Sequence, residues 1–302
     1  MNRNEIQAFR LGRRARLTYW GMLAPALMLL LLSLYPFAQG VYTALTNRKL
    51  YLPTETFIGL GNFVSLAGTP LFWTALGNTL LYTLLVLVIQ IPLGLGLALL
   101  LDVPTRVRAF FRTTIVLPLL IPPVVAGLMW KTMMQPQSGV LNWLLQSVGL
   151  PPFSWLTDPA TAMISVVLID TWVFTPFAVI ILLAGLQSVP GDIEEAGRVD
   201  GASAWQIFWL IRMPWLLPFI LLVALFRVAD SLKALDIIYA TTRGGPLNAT
   251  RTLHIMAYEE AYRWSNLGKA MAIVFVLWLI CYAVSGTLLA FWQRQERRRH
   301  AR

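Results

Sequence analysis

Three charged residues stand inside long apolar runs of this chain: Asp170, Arg227 and Asp230. A charge in such a run is costly, and it either pairs with an opposite charge or faces a water-filled cavity. Helical spacing extends each charge into a face. Asp170, Val173, Phe174 and Phe177 fall at i, i+3, i+4 and i+7, and Arg227, Asp230, Ser231 and Ala234 repeat the pattern. Carboxylates and a guanidinium group suit a hydroxyl-rich ligand, and aromatic faces suit sugar rings. Two readings stand side by side: an ion pair that only locks helices together, or the wall of a path for a hydrophilic solute. Covalent chemistry finds little support. His254, His300 and the single cysteine, Cys281, have no metal-ligand spacing. No GxxxxGK[ST] phosphate loop occurs, so the chain is not expected to hydrolyse ATP itself. A membrane-embedded glycosyl transferase, the rival from another class, would need a catalytic constellation at the membrane surface, and none is legible.

A second informative stretch runs from Val189 to Pro218, VPGDIEEAGRVDGASAWQIFWLIRMPWLLP. Asp192 is placed to cap a helix whose first turn carries Glu194 and Glu195. Gly201 interrupts the pattern and is expected to take a backbone conformation that a β-branched residue would resist. A second amphipathic piece, Ala202–Leu210, leads towards Pro214. The spacing predicts a short helix, a glycine bend and a second helix.

These residues must be positioned by membrane spans. The chain is 57% apolar and only 13% charged, against about 25% charged in ordinary soluble domains. Thr56–Leu101, Thr113–Trp130 and Ala270–Gln293 contain no charge. Runs of about 20 apolar residues span a bilayer, and as helices, because hydrocarbon offers backbone groups no other partner. Six spans are predicted: Tyr19–Tyr42, Phe72–Leu101, Thr113–Lys131, Ala160–Leu186, Pro214–Ala234 and Gly268–Trp292. The first is longer than a signal-peptide core and reads as a retained anchor. Pro122–Pro123 should bend or break the third. Thr132–Thr157, uncharged and rich in Pro, Gly and Trp, reads as a partly buried or interfacial outer segment, and the two tails read as disordered. The net charge of +10 does not indicate nucleic acid, because the basic residues flank spans. Arg13, Arg14 and Arg16 precede the first, Arg106, Arg108 and Arg112 follow the second, and Arg294, Arg297, Arg298, Arg299 and Arg302 follow the last. This bias predicts that both termini are cytoplasmic.

Glu195-Ala196-Gly197, then Gly201, then Ile211-Arg212-Met213-Pro214 resembles the "EAA" motif of ATP-binding-cassette importer permeases: Glu-Ala-Ala, three residues, Gly, nine residues, Ile-x-Leu-Pro. Gly197 departs from the second Ala and Met213 from Leu, and Gly197 weakens a helix by up to ~1 kcal/mol. Val189-Pro190, Asp200-Gly201-Ala202 and Thr241–Pro246 (TTRGGP) are similar to the carbohydrate-uptake branch, that of the maltose and trehalose permeases, over about Pro25 to Trp292.

The resemblance implies an all-α membrane protein of six transmembrane helices with a cytoplasmic coupling helix. It implies basic cytoplasmic tails at 1–16 and 294–302 and a permease domain at 17–293. Within it lies a coupling loop, 189–214, where Glu194, Glu195, Ala196, Gly197, Asp200, Gly201 and Ala202 meet an ATPase. By the same resemblance, Asp170, Val173, Phe174, Phe177, Arg227, Asp230, Ser231 and Ala234 align with sugar-site positions. The implied partners are a second permease, two ATPase subunits that bind ATP and Mg²⁺, and an extracytoplasmic solute-binding protein. No cofactor is expected in this chain. The implied location is the bacterial inner membrane, and the implied work is import of a sugar or sugar-like solute by alternating access. An anionic solute, such as a glycerol phosphate or a sulfonated sugar, is the alternative.

Overall fold

The computed structural model describes residues 3–52, 54–103 and 108–300, so Arg106 and the outermost tail residues 1–2 and 301–302 lie outside the described residues. The long helices are α1 (Arg3–Ala44), α3 (Pro70–Asp102), α7 (Pro159–Gln187), α10 (Met213–Leu232) and α13 (Leu267–His300). Shorter ones lie between them: α2 (Gly61–Ala67), α4 (Arg108–Val116), α5 (Pro123–Met133), α6 (Val140–Ser147), α8 (Gly191–Val199), α9 (Ala204–Gln206), α11 (Asp236–Thr241) and α12 (Leu253–Tyr258). Among the described residues the only β pairing is one bridge between Thr46 and Phe57.

Among the described residues, five helices are long and apolar enough to cross a membrane. The sixth expected span is broken: Ala109–Leu120 and Pro123–Met133 meet at 96°. The cause is local, since Pro122 and Pro123 offer no backbone N–H and force the chain out of helical geometry. The fifth span starts earlier than expected, at Ala204. A capping box between Ser203 and Gln206 starts the helix there, with Ser203 N–H donating to Gln206 Oε1 and Gln206 N–H to Ser203 Oγ. A π-helical turn, Ile207–Arg212, then leads into α10. That wider register accommodates the amide hydrogen missing at Pro214. The backbone also continues helically from Arg3 and on to His300, where the tails read as disordered in the sequence. Arg, Ala, Gln and Glu are good helix formers, and a preformed helix extends more easily than a new one starts.

α7 is the central element, buried over most of its length. It packs chiefly on α3, where a Cβ on Gly94 would come within 2.8 Å of Ala178 Cβ. Such small residues let helix backbones approach closely. α10 closes over both helices, with Leu216 and Val223 buried against Leu182 and Leu186. α1 lies along α13, where Phe37 meets Trp278 at 5.1 Å, and leaves the rest of its apolar surface uncovered. The segment after α5 is partly buried, as expected. Asn142 ties it down, donating to Pro136 O and Phe153 O and accepting from Phe153 N–H and Trp155 Nε1–H.

Candidate functional site

Asp170 and Arg227 meet between α7 and α10 as a buried, hydrogen-bonded ion pair, Arg227 Nη2 donating to Asp170 Oδ1. Two side chains of α3 complete the arrangement: Tyr82 O–H donates to Asp170 Oδ2 at 2.7 Å, and Gln90 Nε2 donates to Oδ1 at 2.6 Å. The guanidinium also lies 4.4 Å from the centre of the Phe174 ring, a favourable cation–π placement. Its Nε and Nη1 make no hydrogen bond. Asp230 is a looser neighbour, 3.9 Å from Nη1 and half-exposed, with Lys233 Nζ at 3.4 Å on its other side.

All of these groups but Gln90 line a cleft of about 250 Å³ whose wall also includes Asp236 and Ile237 of α11. Of the eight sequence-predicted positions, Asp170, Phe174, Arg227, Asp230 and Ala234 border it. Val173 does not; it is buried in the apolar core around α7. Ser231 faces α3 instead, its hydroxyl bonding Thr83 Oγ1 and Val228 O. Phe177 packs edge-on against Phe226, at 5.8 Å. α7 is apolar on nearly every side, so periodicity alone does not single out which of its residues border this cleft.

At the far end of α7 the Val189–Pro218 stretch folds as α8, a bend and α9. The helix begins at Gly191 with Pro190 as its N-cap, so Asp192 lies within the first turn and does not cap it. It favours the helix through the dipole. Gly201 has φ +80°, the left-handed conformation expected of the bend. Gly197 lies where a Cβ would come within 2.9 Å of Ile211 Cδ1, so its lack of a side chain lets α8 sit close against the π turn. Glu195, Ala196, Asp200 and Gly201 face outward and Ala202 is partly covered. Glu194 departs from the expected docking surface. Its carboxylate turns inward and accepts from Arg212 Nε at 2.7 Å and Nη2 at 2.8 Å. Those bonds hold its carboxyl below the ordinary value of 4.5, against desolvation that would raise it.

Residues 90–299 match the family of binding-protein-dependent transport system inner membrane components. The chain belongs to that family. The permease is 31% identical over 86% of its length, and 88% of the relative's, to the trehalose/maltose transport system permease protein MalF of Thermococcus litoralis. It is 34% identical to the sulfoquinovosyl glycerol transport system permease protein SmoG of Agrobacterium fabrum, over 89% of this chain and 88% of that one. Its fold matches a chain from the crystal structure of a bacterial alginate ABC transporter in complex with a periplasmic protein, with TM-score 0.80, 24% identity and coverage of 93% of the permease and 96% of that chain. These matches are to transport components, and the permease is a membrane-spanning importer subunit of this kind.

Sequence reasoning missed Tyr82, Gln90, Lys233 and Asp236 around the cleft, and Arg212 and Asp102 at the loop. One signal was available: Tyr82 and Gln90 are polar-tipped side chains two turns apart in a charge-free run.

Proposed function

We propose that the permease imports a sugar or sugar-like solute by alternating access, with the Asp170–Arg227 cleft as part of the solute path. The observation that carries this reading is a cleft walled by a buried ion pair, an aromatic face at Phe174 and a half-exposed carboxylate at Asp230. Half-exposed Asp230 can accept from hydroxyl groups, whereas Arg227 is 1% exposed and shapes the wall from behind. An uncharged polyhydroxyl solute suits this wall best. Arg227 is already engaged by Asp170, Lys233 lies against Asp230, and Asp236 adds a further carboxylate. The likeness to a sulfoquinovosyl glycerol permease supports an anionic solute as the second reading.

In this proposal a second permease, two ATPase subunits and an extracytoplasmic solute-binding protein complete the complex. The termini and α8 face the cytoplasm. ATP and Mg²⁺ bind to the ATPase subunits, and this chain holds no cofactor. The outward face of the coupling loop, with Glu195, Ala196, Asp200 and Gly201, docks on an ATPase. The test starts with the solute-binding protein that co-purifies with the complex, screened by melting shift against neutral disaccharides, polyols, glycerol phosphates and sulfonated sugars. Uptake of the best binder into proteoliposomes then follows, with and without this chain. A binding protein stabilised only by amino acids or metal ions would overturn the proposal.

A further inference from the structure

Arg212 ends the π turn that joins the α8 loop to α10, and all three of its guanidinium nitrogens are taken. Nε and Nη2 grip Glu194 of α8 as a bidentate pair, and Nη1 lies 3.7 Å from Asp102 Oδ2, on the last residue of α3. The three side chains are mostly shielded, whereas Arg198, 3.5 Å from Glu194, is largely exposed. One side chain therefore fastens three elements.

Two of those elements meet again at the cleft. α3 carries Tyr82 and Gln90, and α10 carries Arg227; all three converge on Asp170 of α7. Gln90 lies about 18 Å along α3 from Asp102, and Arg227 about 22 Å along α10 from Arg212, at 1.5 Å rise per residue. Each helix is continuous over that length. The loop is thus tied to the helices that hold the buried ion pair. Its two faces have different uses: Glu194 turns inward to Arg212, while Val199 is 87% exposed and Glu195 points away.

We propose that Arg212 is a positioning residue, the joint that makes α8, the end of α3 and the start of α10 move as one body. This rests on the importer reading above, in which an ATPase displaces α8. Arginine is specific to the task, because a lysine offers one point charge and cannot hold Glu194 bidentately while reaching Asp102. Loss of the joint leaves α8 helical and in contact with Ile211, but free to rock.

The test uses the reconstituted complex with Cys281 replaced by Ser and spin labels at Val199 on α8 and Leu100 on α3, both exposed. Trapping with MgATP and orthovanadate should leave the distance between the labels narrow and unchanged in the parent. In Arg212→Met the distribution should broaden or shift. Binding-protein-stimulated ATP hydrolysis, with the sugar chosen by the melting screen, should fall about tenfold or more while basal hydrolysis stays within about twofold, and Arg212→Lys should recover part of the loss. An unchanged distance distribution in Arg212→Met overturns the proposal, as does full stimulation, or a parallel fall of basal rate, stimulated rate and complex yield. A parent complex that ignores its binding protein would sink the importer reading instead; the label distances need no solute and test the joint separately.

Discussion

Arg227 has two carboxylate neighbours, and the structure assigns them unequal weight. Asp170→Ala removes the hydrogen-bonded partner of a guanidinium that is 1% exposed, and it also strips the acceptor from Tyr82 O–H and Gln90 Nε2. Breaking a buried pair from one side costs about 3–5 kcal/mol. Each stranded donor adds to that if it finds no substitute. Asp230→Ala removes a half-exposed carboxylate 3.9 Å from Nη1, a contact contributing about 1 kcal/mol at most. The gap of at least ~2 kcal/mol is about thirtyfold in a folding equilibrium. The assay is the yield and thermal inactivation midpoint of the complex extracted in mild detergent. Asp170→Ala should be poorly assembled and Asp230→Ala close to the parent. Joining Asp170→Leu with Arg227→Leu should recover assembly, because no buried charge is left unpaired. If Asp230→Ala is as damaging as Asp170→Ala, or the double variant no better than Asp170→Ala alone, the assignment of Arg227 to Asp170 is wrong.

Asp230→Ala should instead slow solute uptake about tenfold to a hundredfold, the range for losing a hydrogen bond to a charged group, with basal ATP hydrolysis retained; undiminished uptake would remove Asp230 from the path. Gly201→Val places a β-branched residue at φ +80°, so it should leave membrane insertion intact and abolish solute-stimulated hydrolysis; normal stimulation would show that the bend is not needed. Because Arg212 depresses the Glu194 carboxyl, its contribution to stability is fully present above the ordinary value of 4.5 and is lost only as pH falls through the lower folded value. Glu194→Gln should therefore lose less thermal stability than the parent as pH falls below about 4.5; an identical acid profile in that variant would refute the linkage. Asn142→Ala removes the side chain that satisfies the Phe153 amide and Trp155 indole N–H, with an expected cost of about 1–3 kcal/mol per stranded donor; an unchanged melting midpoint would show that water replaces it.

Span type, and a number of five to six, were legible because hydrocarbon imposes one rule on every backbone group it meets. Charge-free runs of sufficient length had to be helices, and the Pro122–Pro123 pair had to break one of them. The bend at Gly201 was equally legible, since it depends on the backbone preferences of one residue. The charges within the spans announced themselves as well, because a charge in hydrocarbon demands a reason. The extension of the fifth span back to Ala204 was harder to read, since an amphipathic segment leading to a proline looks like a separate helix until its register is known.

Which partner each charge takes was a different kind of question. Arg227 and Asp230 are three residues apart, which fits a pair on one helix face, yet Arg227 bonds Asp170, 57 positions away, because α10 lies against α7 at that level. Glu194 and Glu195 are adjacent and alike in sequence; one turns inward to Arg212 and the other faces out only because α8 presses one face against the π turn. Val173 and Ser231 share helical faces with cleft residues but are covered by neighbouring helices. Composition and local spacing determined the helices, the break and the bend, since those follow from each residue's own covalent geometry and its solvent. Long-range packing decided the ion pairs, the cleft wall and the Arg212 junction, since a side chain's partner depends on which helix lies opposite it.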